Sequence, residues 1–90
     1  MFNYSAASAF NKDVKLMQKR NKDMRRLYEV MRILINGDAL PPKYRNHRLR
    51  GNYTGKWECH VEPDWLLIYA IDTVAQEIVF CRTGSHSDLF

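Results

Sequence analysis

The chain has 90 residues, 46% of them hydrophobic and 12% aromatic, with four glycines and three prolines. That is enough apolar material for one packed core over residues 1–90 and excludes a disordered, collagen-like or low-complexity chain. The net charge of +4 is split: residues 1–56 carry 13 Lys+Arg against 4 Asp+Glu (+9), and residues 57–90 carry Arg82 alone against 6 acids (−5). A basic half of this kind suits a polyanion, because Lys and Arg beside phosphates release condensed counterions. An acidic protein is the second partner class it suits, and a solvated helix face is the plain alternative. No uncharged run approaches the roughly 20 residues that span a bilayer, and no charged start precedes an apolar block, so a cytoplasmic protein without a membrane segment is expected. Cys59 and Cys81 have no disulfide or metal spacing and are expected as reduced strand residues.

In chain order, Met1–Tyr4 is short and apolar enough for an edge strand. Ser5 or Ser8 is placed to cap a helix in which Phe10, Val14 and Met17 recur at helical spacing. Asn21 reads as a break and a new N-cap. Met24, Leu27, Tyr28, Met31, Leu34 and Ile35 then follow the i, i+3, i+4, i+7 pattern of a second helix, ended by Gly37 and by Pro41-Pro42. Residues 41–56 are polar and read as a loop. After it the period changes to two: Trp57, Cys59 and Val61 alternate with Glu58, His60 and Glu62. Pro63-Asp64 makes a turn, Trp65–Asp72 a strongly apolar strand, and Glu77–Thr83 a last strand that Gly84 ends. The order strand, helix, helix, strand, strand, strand gives an α+β fold, with the helix pair covering one face of a small antiparallel sheet and the other face free for a site.

No Gly-rich phosphate loop, GxSxG elbow or HExxH stretch is present. His47, His60 and His86 match no linear zinc spacing, so no metal and no cofactor are expected. Cys59 and His60 are adjacent on a strand and point to opposite faces, so they do not form a nucleophile–base pair. The residues do suit acid–base cleavage of RNA, in which the ribose 2′-OH attacks the neighbouring phosphorus and the protein moves two protons and neutralises charge. Histidine, titrating near neutrality, suits both transfers, and arginine's planar fork matches phosphate oxygens. Arg82, the only cation of the last 34 residues, lies four positions before His86 across Gly84. Its plain alternative is an ion pair with one of the neighbouring acids. Trp65, directly after a turn, and Phe90, at the chain end, are candidates to stack on bases, beside Tyr53 and Tyr69. Strand aromatics are more often core.

Several segments resemble a known family. Lys12-Asp13-Val14-Lys15-Leu16, Gln18-Lys19-Arg20 and Lys22-Asp23-Met24 look like the N-terminal helices of YafQ-type toxins. His47-Arg48-Leu49-Arg50-Gly51, His60-Val61-Glu62-Pro63-Asp64-Trp65 with Leu67-Ile68-Tyr69, and Arg82-Thr83-Gly84-Ser85-His86 with Leu89-Phe90 resemble the same group over nearly the whole chain. That group belongs to the RelE/ParE superfamily of bacterial toxin–antitoxin toxins. The resemblance implies a RelE-like, microbial-ribonuclease-type α+β fold. It also implies ribosome-dependent, metal-independent cleavage of mRNA, inhibition by a cognate antitoxin, and contact with operator DNA only through that antitoxin. It makes His86 the general acid and Arg82 the phosphate-stabilising group. His47, His60 and Asp64 become the other polar members of the cleft, with His60 or Asp64 as base or orienting group, and Trp65 and Phe90 its aromatic positions. The alternative on the same scaffold is a non-catalytic binder: a ParE-like gyrase inhibitor, or a decayed toxin that only binds its antitoxin. With no helix-turn-helix in sight, a DNA-binding regulator acting alone is the least favoured class.

Overall fold

The alternation of apolar residues in the second half of the chain builds a five-stranded sheet, and the helical stripes of the first half cover one face of it. A computed structural model describes residues 1–90. Its elements are β1 (Asn3–Ala6), α1 (Ser8–Lys19), α2 (Met24–Ile35), β2 (His47–Arg48), β3 (Trp57–Glu62), β4 (Trp65–Asp72), β5 (Glu77–Gly84) and α3 (His86–Leu89). The strand order is β1-β5-β4-β3-β2. The α+β class and the helix-pair-then-strands order are as expected. The sheet, however, is mixed: β2 to β5 are antiparallel and β1 joins β5 in parallel. Most of the chain separates β1 from β5, so no hairpin turn dictates their direction, and the helices supply the crossover that a parallel pair needs.

Local chemistry explains the helix ends. Ala7, not Ser5 or Ser8, holds the N-cap position of α1 and has no side-chain cap. Ser5 is already paired with Val79 in the sheet, and the Ala7 N–H donates to the Phe80 carbonyl at 2.9 Å, so the strand end fixes the helix start. Asn21 lies in the left-handed region at φ 60°, which asparagine tolerates, and Asp23 caps α2 in its place by accepting the Arg25 N–H. Gly37, at φ 80°, closes α2 as expected, donating to the Leu34 carbonyl. The predicted loop 41–56 holds two single 3₁₀ turns, Pro42–Tyr44 and Gly51–Tyr53, and the two-residue strand β2, too short to leave a period in the sequence. A further helical turn, α3, follows Gly84 and carries a full capping box between Ser85 and Asp88.

Phe10 and Met17 of α1 and Leu27, Val30 and Leu34 of α2 pack on Cys59, Val61, Trp65, Leu67, Tyr69, Ile78 and Phe80. On the opposite face Leu66, Ile68 and Leu89 form a small second cluster under Leu49 and Tyr53. No helix is long and apolar enough to cross a membrane.

The structure corrects the expectation for Trp65. It lies at 0% exposure on the helix-covered face, and its indole Nε1–H donates to Thr83 Oγ1 at 2.9 Å. Thr83 in turn donates to the Leu66 carbonyl at 2.7 Å, so the indole is the core's polar cross-brace between β4 and β5 and offers no face to a base. Residue 65 shares its side of the strand with Leu67 and Tyr69, and the period of two puts it inside whatever the turn before it. Trp65→Phe should therefore lower the free energy of unfolding by about 1–3 kcal/mol, from the lost hydrogen bond and the space left behind. A urea titration measures this. Unchanged stability with weakened RNA binding would instead mean that the indole stacks on a base.

Candidate active site

The site lies on the sheet face away from α1 and α2. Registers across the strands place side chains in rows. Arg82 opposes Ile68, Ile68 opposes Glu58, and Glu58 opposes His47; in the next row Gly84 opposes Leu66 and Leu66 opposes His60. His86, the first residue of α3, completes the set. Two histidine contacts run in sequence: His47 and His60 have ring centres 6.1 Å apart, and His60 and His86 have theirs 5.8 Å apart. The three histidines, separated by 13 and 26 positions in the chain, thus form one row.

Each ring is held through Nδ1. His47 Nδ1–H donates to the Arg45 carbonyl at 2.7 Å, and His60 Nδ1–H to the Pro63 carbonyl at 3.2 Å. With the Nδ1 protons so engaged, both Nε2 atoms face one acceptor, Glu58 Oε1, at 3.3 Å from His47 and 3.5 Å from His60. Glu58 is buried, at 4% exposure. A proton placed on either Nε2 turns the contact into an ion pair with this carboxylate. Glu58 was not among the residues expected from sequence. The signal was present, since the alternation that puts Cys59 inside puts Glu58 and His60 together on the other face.

His86 has its own carboxylate. Asp64 Oδ1 accepts the His86 Nδ1–H at 2.6 Å and the His86 backbone N–H at 2.8 Å. These two hydrogen bonds hold the Asp64 carboxyl below its ordinary range. Asp64 therefore stays ionised near neutrality and holds the His86 ring through Nδ1. The pair is exposed, with His86 Nε2 left for a substrate.

Arg82 stands in the same face but is held at the sheet edge. Its Nε and Nη2 donate to Asp13 of α1 at 2.7 and 3.1 Å, and the same carboxylate accepts the Thr83 N–H at 3.0 Å. The plain expectation of an ion pair is thus realised, though with an acid 69 positions away. The Asp13 hydrogen bonds and charge raise the Arg82 pKa above its ordinary value, and the Tyr53 hydroxyl adds to this. Asp13 takes two of the five guanidinium N–H donors, and those not engaged there or by Tyr53 are left for an anion. A shift of register between Ile68 and Tyr69 leaves Cys81 without a partner on β4. Such a bulge re-aims the residue beside it, here Arg82. Phe90 is 64% exposed and meets the Tyr53 ring edge-on at 5.4 Å, so of the two expected aromatic positions only this one faces solvent.

One further property emerges only in three dimensions. His47, Glu58 and His60 offer ligand atoms that all lie within 4.8 Å of one another. Atoms bound about 2.1 Å from a tetrahedral ion sit about 3.4 Å apart, close to the two Glu58–histidine separations. The sequence spacing that argues against a zinc motif says nothing of residues gathered by strand pairing, and this trio has the donor chemistry for a transition-metal ion.

With the geometry described, comparisons with known proteins fall into one group. A family model for the bacterial toxin of type II toxin–antitoxin systems, YafQ, matches residues 2–90. The mRNA interferase toxin YafQ of Escherichia coli K12 is 48% identical over 82 residues, covering 90% of this chain and 87% of that protein. Among solved structures, the toxin chain of the E. coli DinJ–YafQ complex superposes with a TM-score of 0.92 at 43% identity, covering 100% of this chain and 99% of that one. A metal-bound toxin from Helicobacter pylori gives a TM-score of 0.92 at 38% identity, with both chains fully covered. The chain belongs to the YafQ family of toxins of bacterial type II toxin–antitoxin systems.

Proposed function

We propose that this toxin is an endoribonuclease that cuts mRNA on the ribosome by acid–base chemistry and is held inactive by a cognate antitoxin. The observation that carries this is the histidine row with two separate carboxylates, one serving the His47–His60 end and one serving His86. Two environments of this kind divide the work of base and acid. In the step proposed, His60 with Glu58 accepts the proton of the ribose 2′-OH. The 2′ oxygen attacks phosphorus, the P–O5′ bond breaks, and His86 Nε2 delivers its proton to the leaving 5′ oxygen. The products are a 2′,3′-cyclic phosphate and a 5′-hydroxyl. The free donors of Arg82 meet the charge that builds on the phosphorane oxygens. Asp64 acts as the orienting group of His86, because both of its hydrogen bonds go there. Phe90 supplies a stacking surface beside the site.

Support for the ribosome as the platform comes from charge. Lys12, Lys15 and Lys19 on α1 and Arg45, Arg48 and Arg50 around β2 are exposed, a basic girdle fit for rRNA phosphates. The same girdle suits an acidic antitoxin. In the E. coli complex the YafQ toxin is bound to DinJ. Here we infer an equivalent partner and assign operator contact to it alone.

Primer extension on a reporter mRNA, with and without ribosomes, tests the proposal. Ribosome-dependent cuts are expected from the wild type, and His86→Ala should slow them by about 10²–10⁴-fold. Folded, antitoxin-binding wild-type protein that makes no cut would support the gyrase-type or purely binding alternative. Asp64→Asn weakens the acceptor that orients the His86 ring and should lower the cleavage rate about tenfold, as expected for a misaligned donor. An unchanged rate would detach Asp64 from the acid. Finally, a transition-metal ion held by His47, Glu58 and His60 would occupy the proposed base. Excess Zn²⁺ should inhibit, and a chelator selective for transition metals, which spares the Mg²⁺ that ribosomes need, should leave the wild-type rate unchanged. Loss of activity on chelation would mean that the trio works as a metal centre.

A further inference from the structure

The proposed acid sits on an element that cannot stand by itself. Helix α3 is four residues long, too short to be stable without tertiary support. Three contacts supply that support. Leu89 is buried with Leu66 and Ile68, and Tyr53 Oη–H donates to the Leu89 carbonyl at 3.2 Å. The Asp88 carboxylate accepts the Ser85 N–H at 2.8 Å, closing the capping box. The third contact comes from the far side of the molecule. Arg20, at the end of α1, donates through Nη1 to Asp88 Oδ2 at 2.6 Å and through Nη2 to Asp88 Oδ1 at 2.9 Å. A paired fork of this kind fixes orientation as well as distance. Arg20 lies one turn beyond Met17, which is 1% exposed, so the fork extends from a part of α1 set in the main core.

The fit at Asp88 is close. A Cβ placed on Gly84 would lie 3.0 Å from both Asp88 Cβ and Asp88 Oδ2. The strand end is bare so that this carboxylate can lie against it. His86 is thus held from both sides: Asp64 takes its ring and backbone N–H, and two residues on Arg20 grips Asp88.

We infer that Arg20 is a positioning residue for the cleavage step, acting through Asp88 and α3 to set the direction in which His86 delivers its proton. This rests on the proposed function, with His86 as acid. It gives α1 a part in the chemistry although it lies on the other face of the sheet. An exposed ion pair adds little to stability, so the effect belongs to rate rather than to folding.

The test is single-turnover cleavage of ribosome-bound mRNA by wild type, Arg20→Ala, Arg20→Lys, His86→Ala and the double variant Arg20→Ala/His86→Ala. Thermal unfolding of each is followed in parallel. Arg20→Ala should lower the maximal rate about tenfold, as expected for a misaligned donor, with the half-saturating concentration within twofold of wild type. Arg20→Lys, which keeps the charge and loses the fork, should fall between the two. In the His86→Ala background Arg20→Ala should have no further effect, because the residue it positions is gone. An additive loss in that background, or a loss confined to half-saturation, would overturn the inference and make Arg20 an RNA contact. A wild-type rate for Arg20→Ala, with His86→Ala inactive, would overturn it and leave the proposed acid standing. A wild-type rate for His86→Ala would overturn the acid assignment and this inference with it. Should Arg20→Ala unfold early, Asp88→Asn, which keeps the shape and weakens the pair, carries the same comparison.

Discussion

The strand β1 stops after Ala6, and much of the molecule depends on how the edge it leaves behind is completed. Beyond Phe80, β5 has no neighbour on that side, and a buried strand edge with an open N–H is costly. Asp13 takes the place of the missing strand, accepting the Thr83 N–H and both donors of the Arg82 fork. One carboxylate thereby seats α1 on the sheet, orients the proposed phosphate ligand, and steadies Thr83, whose hydroxyl ties β5 to Trp65 and Leu66 of β4. Core and site share this joint. That is why the arginine proposed to meet a phosphate is held first by an acid of the opposite layer.

The free face of the sheet carries the opposite balance. Its apolar cluster is small, and the rows beside it are filled with Glu58, His60 and His47 instead of further hydrophobes. The buried Glu58 carboxylate has both imidazole Nε2 atoms within 3.5 Å. The same arrangement serves a proton acceptor and suits a transition-metal ion. These are two uses of one set of lone pairs, and occupation by an ion would exclude the acid–base use. The Asp64–His86 pair stays apart from this group, on the β3–β4 turn and on α3, in more open surroundings. His60, in the middle of the row, is the most covered of the three rings, and His47 and His86 at its two ends are exposed.

Charge separation along the chain becomes spatial organisation in the fold. The basic first half supplies the helices and the segment around β2, and the acidic second half supplies the carboxylates that orient the histidines. Several ion pairs join the two halves: Arg20 with Asp88, Lys22 and Arg26 with Glu62. Some of the basic charge therefore holds α1 and α2 to the strands. The rest stays exposed.

The sequence by itself determined the elements whose cause is local. The stripe Leu27, Leu34 and its neighbours made α2, Gly37 ended it, and alternation from Trp57 onward made the strands. Motifs such as RTGSH and HVEPDW identified the family and supplied most of the polar residues of the proposed site, because unusual local strings survive in a linear reading. What followed from contacts between distant positions was not legible. Asp13 meeting Arg82, Arg20 meeting Asp88, and β1 running parallel to β5 each join residues some 70 positions apart, and no periodicity encodes such pairs. Trp65 looked accessible beside a turn and lies in the core, because α1 and α2 cover the face it shares with Leu67 and Tyr69. Glu58 stood between the two: its face was readable from the alternation, but its part between His47 and His60 depended on the short β2 pairing, which only the packed sheet establishes.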